Sequence, residues 1–270
     1  MSTWSLRVGA VLVTLSIFLA WQAVTAIGLV RPIFLPSPSS TFVNLWRGLT
    51  GGNLLNLTFS TLERMIYGWM LASLGGILLG AVIGLSPRTR YWLTPMLELL
   101  RPLPASTLLP VGIALFGLHP SMLLGIIAFG AIWPVLLPTI HGFSAIEPRL
   151  REVARNLGIG PLAFAIKFGL PNALPDVISG MRLSLTACLI ITVVGEMITA
   201  QQGLGSTIML AARSFRSTDL YAGIILLGVV GAINNGLLGA IERALLPWRT
   251  AQGRACKLLE GKLDEQNDHL

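Results

Sequence analysis

The sequence predicts an all-α membrane protein with six transmembrane helices, and three observations carry that expectation. Apolar residues make up 53% of the chain and charged residues 11%, where soluble domains hold about 25% charged residues. Six apolar stretches have about the 20-residue length that crosses a bilayer. Lysine and arginine also concentrate in alternate connecting segments, the asymmetry that sets orientation in a membrane. The net charge of +7 does not imply nucleic acid, because the basic residues lie between apolar runs and form no single patch.

The first span is expected at Val8–Ile27. With Met1–Arg7 it resembles a signal peptide, but the apolar run exceeds the roughly 7–15 residues of a signal core and no small-x-small site follows, so it reads as uncleaved. Residues 31–54 carry Pro36-Ser37-Pro38-Ser39-Ser40, and Ser39 or Ser40 is the expected cap of a short helix there. Span two, Gly68–Leu85, places Ala72, Gly76, Gly80 and Gly84 on one face. Such a face lets a second helix approach, within the chain or from another subunit. Span three, Leu99–Leu118, is interrupted by Pro102, Pro104 and Pro110, and span four, Met122–Ile140, by Pro134 and Pro138. Span five covers Val177–Thr199 and span six Tyr221–Leu246. Between them, Gly203-Leu204-Gly205-Ser206 leads into a short amphipathic helix, Ile208–Phe215, expected to lie along the outer surface. The domain reading is a first span and outer helical segment at 1–58, a core membrane domain at 59–246 with a polar loop at 141–176, and a polar tail at 247–270.

Orientation follows from Arg88, Arg90 and Arg101, then Arg149, Arg151, Arg155 and Lys167, then Arg243, Arg249, Arg254, Lys257 and Lys262. Placing these segments in the cytoplasm puts both termini there as well.

The polar island Arg149–Asp176 is the most informative stretch. Pro148 suits a first helical turn. Leu150, Val153, Ala154 and Leu157 then recur at helical spacing. Gly158 and Gly160-Pro161 end that helix. A short helix with an apolar face, held by a membrane domain, fits a groove on a soluble partner; a basic amphipathic helix also binds anionic lipid.

Few residues point to chemistry. His119 and His141 are far apart, Cys188 and Cys256 are not placed to pair, and no metal, nucleophile or phosphate-loop motif is present. No catalytic, metal-binding or cofactor-binding residue is therefore expected, and ATP is not expected to bind this chain. Candidate translocation-path residues are Arg101 and Pro102, at a broken helix entrance, with Arg182 and Glu196. A buried acid such as Glu196 costs roughly 3 kcal/mol and needs a cavity or a partner. Asn234-Asn235 suits hydrogen bonding between helices. The alternative classes are a membrane-embedded enzyme, which would show convergent His or acidic residues inside spans, and a passive channel, which needs no docking helix.

The island closely resembles the signature loop of permease subunits of ATP-binding-cassette (ABC) importers: Glu-Ala-Ala, three residues, Gly, nine residues, Ile-x-Leu-Pro. Glu152, Ala154, Gly158, Leu170 and Pro171 match at the right spacing, while Val153 replaces an Ala and Phe168 replaces Ile. Leu35-Pro36-Ser37-Pro38, Pro102-Leu103-Pro104, Phe116-Gly117, Leu174-Pro175, Gly180-Met181-Arg182, Gly195-Glu196-Met197 and Gly203-Leu204-Gly205 look like the nitrate/sulfonate/taurine branch. That branch often has Trp before the Phe-Gly, where this chain has Leu115.

The resemblance implies a type I importer permease fold, a multi-pass protein of the bacterial inner (cytoplasmic) membrane. It implies two ATP-binding-cassette ATPase subunits holding ATP and magnesium, a second permease copy expected as a homodimer, and a periplasmic or lipid-anchored solute-binding protein. The ATPases would dock on a coupling helix formed by Glu152, Val153, Ala154, Leu157 and Gly158, with Leu170 and Pro171. The solute implied is a small oxyanion such as a sulfonate, taurine or nitrate.

Overall fold

A computed structural model describes residues 3–245, so the tail expected at 247–270 lies outside the described residues. Among the described residues every regular element is helical. In chain order these are α1 (Thr3–Ala26), α2 (Pro38–Thr50), α3 (Leu54–Leu85), α4 (Pro87–Leu100), α5 (Leu109–Phe116), α6 (Pro120–Ser144), α7 (Pro148–Asn156), α8 (Pro161–Phe164), α9 (Leu170–Thr199), α10 (Leu204–Arg213) and α11 (Ser217–Leu245). A 3₁₀ turn, Ala105–Leu108, precedes α5, and a π-helical turn, Ala165–Gly169, joins α8 to α9.

Proline sets many of the starts. It stands in the first turn of α2, α4, α5, α7 and α8, where its missing N–H costs nothing. Pro110 therefore opens α5 and does not interrupt a span. Among the described residues, four helices are long and apolar enough to cross a membrane: α3, α6, the continuous stretch Pro161–Thr199, and α11. The expected third span differs. It is a broken pair, α4 and the Ala105–Phe116 segment, with Arg101, Pro102 and Pro104 at the break. The apolar run Leu12–Ala26 of α1 occupies the place of the first expected span. Residues 86–98, expected as a connecting loop, are mostly helix α4. Likewise α3 begins at Leu54, across the boundary expected at residues 58 and 59.

The chain forms two compact units. One comprises the chain up to Gly68, Pro104–Ile127 and Leu189–Gly231. Here Trp21 Nε1 donates to the Pro36 carbonyl (3.1 Å), and the Trp21 ring lies 5.8 Å from Tyr221. Ser37, not Ser39 or Ser40, caps α2, accepting from the Ser40 N–H at 3.2 Å. The α10 helix begins at Leu204. Leu204, Ile208 and Ala211 are buried within the unit, while Leu210, Ala212 and Arg213 are exposed, so the helix packs one face and leaves the other uncovered.

The second unit comprises Trp69–Leu103, Ala128–Cys188 and the stretch from Ala232. Its seam is the small-residue stripe of α3. A Cβ on Gly76 would lie 2.9 Å from Val135, one on Gly80 2.6 Å from Thr139, and one on Gly84 2.7 Å from Phe143. The stripe thus packs α3 on α6 inside the chain, the first of the two uses open to it. On the neighbouring side of α6, Gly180 of α9 leaves room for the Pro134 carbonyl, only 2.4 Å from where a Cβ would stand. Pro138 has no N–H to give that carbonyl. Ile83, Trp133 and Leu136 form a core on which Leu93 and Leu97 of α4 pack.

Candidate coupling surface

The α7 helix is presented by the end of α6 and held by one small side chain. Ala154 is 4% exposed and packs with Ile146 and Phe164, backed by Leu85, Ile159 and Phe168. The rings of Phe164 and Phe168 stack at 5.5 Å. The other apolar residues expected on the same face point outward: Leu150 is 45% exposed, Val153 53% and Leu157 72%. Glu152 and Arg155 are exposed beside them. Water-exposed apolar side chains on so short a helix form a surface that gains by being covered.

The helix ends in a Schellman motif. The Ile159 N–H donates to the Ala154 carbonyl (2.9 Å) and the Gly158 N–H to that of Arg155 (3.1 Å). Gly158 has φ +70 with open space around it, so glycine is needed for its backbone angle and not for room. Ile159 then folds onto the Ala154 cluster. A cleft of about 810 Å³ lies along this helix, lined by Leu85, Arg90, Ile146, Arg151, Ala154 and Phe164. Leu170 and Pro171 lie apart from α7 in sequence, in the first turn of α9, and both are exposed. Sequence reasoning missed Arg90 and Phe164 as lining residues; the Phe164/Phe168 pair at helical spacing was the available signal.

The four candidate path residues fall in three places. Arg101 caps α4 and, with Pro102, is exposed at the break. The Arg182 Nε donates to Asn235 Oδ1 (2.8 Å), and its Nη1 lies 3.4 Å from Glu242 Oε2, so Asn235 bonds between helices as its residue type suggests. Glu196 is 0% exposed. Its carboxylate is paired with Arg64, accepts from the Thr61 hydroxyl (3.0 Å) and from the Gly205 N–H (2.9 Å). The Thr61 oxygen in turn accepts from the Leu204 N–H (2.9 Å). Glu196 and Thr61 thereby satisfy the first two N–H groups of α10, which have no partner inside the helix.

The family of binding-protein-dependent transport system inner membrane components matches residues 73–247, most of the chain. The chain belongs to this family. It is a multi-pass transport subunit of an ABC importer, not an enzyme, and the ATPase is a separate subunit. Among similar proteins is SsuC of Bacillus subtilis (strain 168), named as an aliphatic sulfonates transport permease, 32% identical over 86% of this chain and 84% of that one. The taurine transport system permease TauC of Escherichia coli (strain K12) is 29% identical over 90% of both chains. In fold, the chain is similar to the inward-facing MetNI methionine ABC transporter, with a TM-score of 0.62 at 17% identity over 71% of this chain and 95% of that one. The type I permease architecture expected from the signature loop is thus the fold of this family member.

Proposed function

We propose that this permease works in the inner membrane as one of two copies, passing a small oxyanion delivered by a solute-binding protein and driven by two ATPase subunits seated on α7. The observation that carries the docking site is α7 itself. Ala154 fixes it to the membrane domain, while Leu150, Val153 and Leu157 stay uncovered beside Glu152 and Arg155. An apolar helix face with a charged rim suits a groove on a soluble protein. Gly158 ends the helix, and Leu170 and Pro171 stand exposed at the start of α9. ATP and magnesium belong to the ATPases, so the coupling on this chain is mechanical: ATP-driven closure displaces α7, and the spans follow.

The oxyanion reading rests on the relatives named for aliphatic sulfonates and taurine, and on those named for nitrate import. On this chain Arg101, with Pro102, offers positive charge at a helix break, while Glu196 is neutralised by Arg64 and presents no free negative charge to an anion. Arg182 shares its charge with Glu242. The test is growth and uptake on ethanesulfonate, taurine or nitrate as sole sulfur or nitrogen source, with and without this gene. Loss of growth on one of them without the gene is expected. Unchanged growth and uptake on all three removes the oxyanion reading.

A further inference from the structure

The segment carrying α7 leaves α6 and returns to α9 through a tight crossing. Gly142, in the last turn of α6, faces Ala173 in the first turn of α9. A Cβ on Gly142 would stand 2.7 Å from the Ala173 Cα and 2.8 Å from its Cβ. The last four carbonyls of a helix have no partner within it. At α6, the His141 carbonyl accepts from the Ala145 N–H (2.9 Å) and the Ser144 hydroxyl (3.0 Å). The Gly142 carbonyl accepts from across the crossing, from Asn172 Nδ2 at 2.8 Å. One turn further along α9, Asp176 Oδ2 lies 3.0 Å from His141 Nδ1. Two side chains of α9 therefore grip two consecutive residues at the end of α6. Phe143, the next residue, fills the notch at Gly169, where a Cβ would stand 2.7 Å from its ring, and packs on Ala173 and Val177.

We propose that Asn172 is a positioning residue for coupling. It ties the end of α6 to the start of α9 at the root of the 145–169 segment, so that a displacement of α7 moves both spans together. The role in coupling rests on the reading of α7 as the ATPase-docking helix; the tie itself does not. An amide is required, because Nδ2 donates to a carbonyl and a carboxylate of the same shape has no proton to give. The His141–Asp176 pair is exposed on both sides and by itself contributes little. Asn172 is itself exposed, but the Gly142 carbonyl it reaches belongs to a buried residue at a crossing with no room to shift.

Asn172→Asp and Asn172→Leu both remove the donor, one with a new charge and one without, and are expected to act alike. In the first arm, the whole chain in lipid nanodiscs is followed by amide hydrogen exchange. Exchange in residues 145–160 is expected to rise about fivefold in both variants, the scale of one net hydrogen bond, with α3 and α11 unchanged. In the second arm, the complex co-purified with its ATPase is reconstituted with its binding protein, and taurine, ethanesulfonate or nitrate transported per ATP hydrolysed is measured. A fall of about fivefold is expected while ATPase retention stays at the wild-type level; a part that only stabilised the fold would lower retention and transport together. Unchanged exchange overturns the tie. Faster exchange with an unchanged transport-to-ATP ratio, or a loss of retention in step with transport, overturns the positioning role. A wild-type chain that retains no ATPase removes the docking reading alone, and the tie then stands or falls on the exchange arm.

Discussion

Glu196 shows how one residue type is made tolerable at a place where the sequence alone leaves it expensive. Its charge is buried completely, and Arg64 on one oxygen with Thr61 and the Gly205 N–H on the other give both carboxylate oxygens the partners that burial would otherwise deny them. Breaking such a pair on one side leaves the other charge buried and uncompensated, which costs about 3 kcal/mol or more. Glu196→Gln is therefore expected to lower the apparent melting temperature of the purified chain by several degrees. The double change Glu196→Gln with Arg64→Met should recover part of that loss. Equal melting of Glu196→Gln and wild type would show that the carboxylate charge is not needed. Gly203→Ala should echo the single change, since its methyl would stand 2.3 Å from the Glu196 carboxyl carbon and displace it. The sequence marked Glu196 as needing a partner. It did not name Arg64 or Thr61, because these lie 132 and 135 residues away along the chain and join it only in the packed unit.

Among the elements, α7 carries the sharpest expectation. Leu157→Asp and Val153→Asp put charge on the uncovered face and touch no buried cluster, so ATPase co-purification is expected to fall at least tenfold with chain abundance unchanged. Normal co-purification in both would remove α7 as the docking helix. Ala154→Arg is a poorer probe, because Ala154 is buried against Ile146 and Phe164 and the change would disrupt the fold as well. Gly158→Val forces a β-branched residue to φ +70, costing about 1–2 kcal/mol at the helix end, and should weaken uptake with the protein still inserted. The helix, its proline start and its glycine stop were legible because each is a local rule. The spans α6 and α11 were legible by hydropathy. The α4 helix was not, because Arg88, Arg90 and Pro95 interrupt its apolar run while its packing partners, Ile83 and Trp133, come from other helices. The early start of α3 was hidden for a related reason: Thr61 and Arg64 look like loop residues until Glu196 satisfies them. The stripe on α3 was visible as a close-packing face, but only the structure gives its partner, Val135 to Phe143 of α6.

At the scale of the whole molecule, the open physical quantity is orientation, and charge decides it. The segments expected inside carry Arg7, Arg88, Arg90, Arg101, Arg149, Arg151, Arg155 and Lys167, with Arg243, Arg249, Arg254, Lys257 and Lys262 at the C-terminal end, while those expected outside carry Arg31, Arg47, Arg64, Arg213 and Arg216. The difference is strengthened by pairing, since Arg216 is offset by Asp219 at 3.4 Å. Positive charge on short loops resists translocation, so α7 and the segment around α4 should face the cytoplasm and α2 and α10 the opposite side. The docking reading demands the same result independently, because an ATPase reaches α7 only from the cytoplasm. Single cysteines on a background without Cys188 and Cys256 test both at once. A membrane-impermeant maleimide added to intact cells, with the outer membrane permeabilised, is expected to label Ser39→Cys and Ser214→Cys. Leu157→Cys and Gln252→Cys should react only after the inner membrane is opened. External labelling at Leu157→Cys would invert the topology and remove the ATPase from α7 together, since no cytoplasmic subunit can cover a helix that faces away from it.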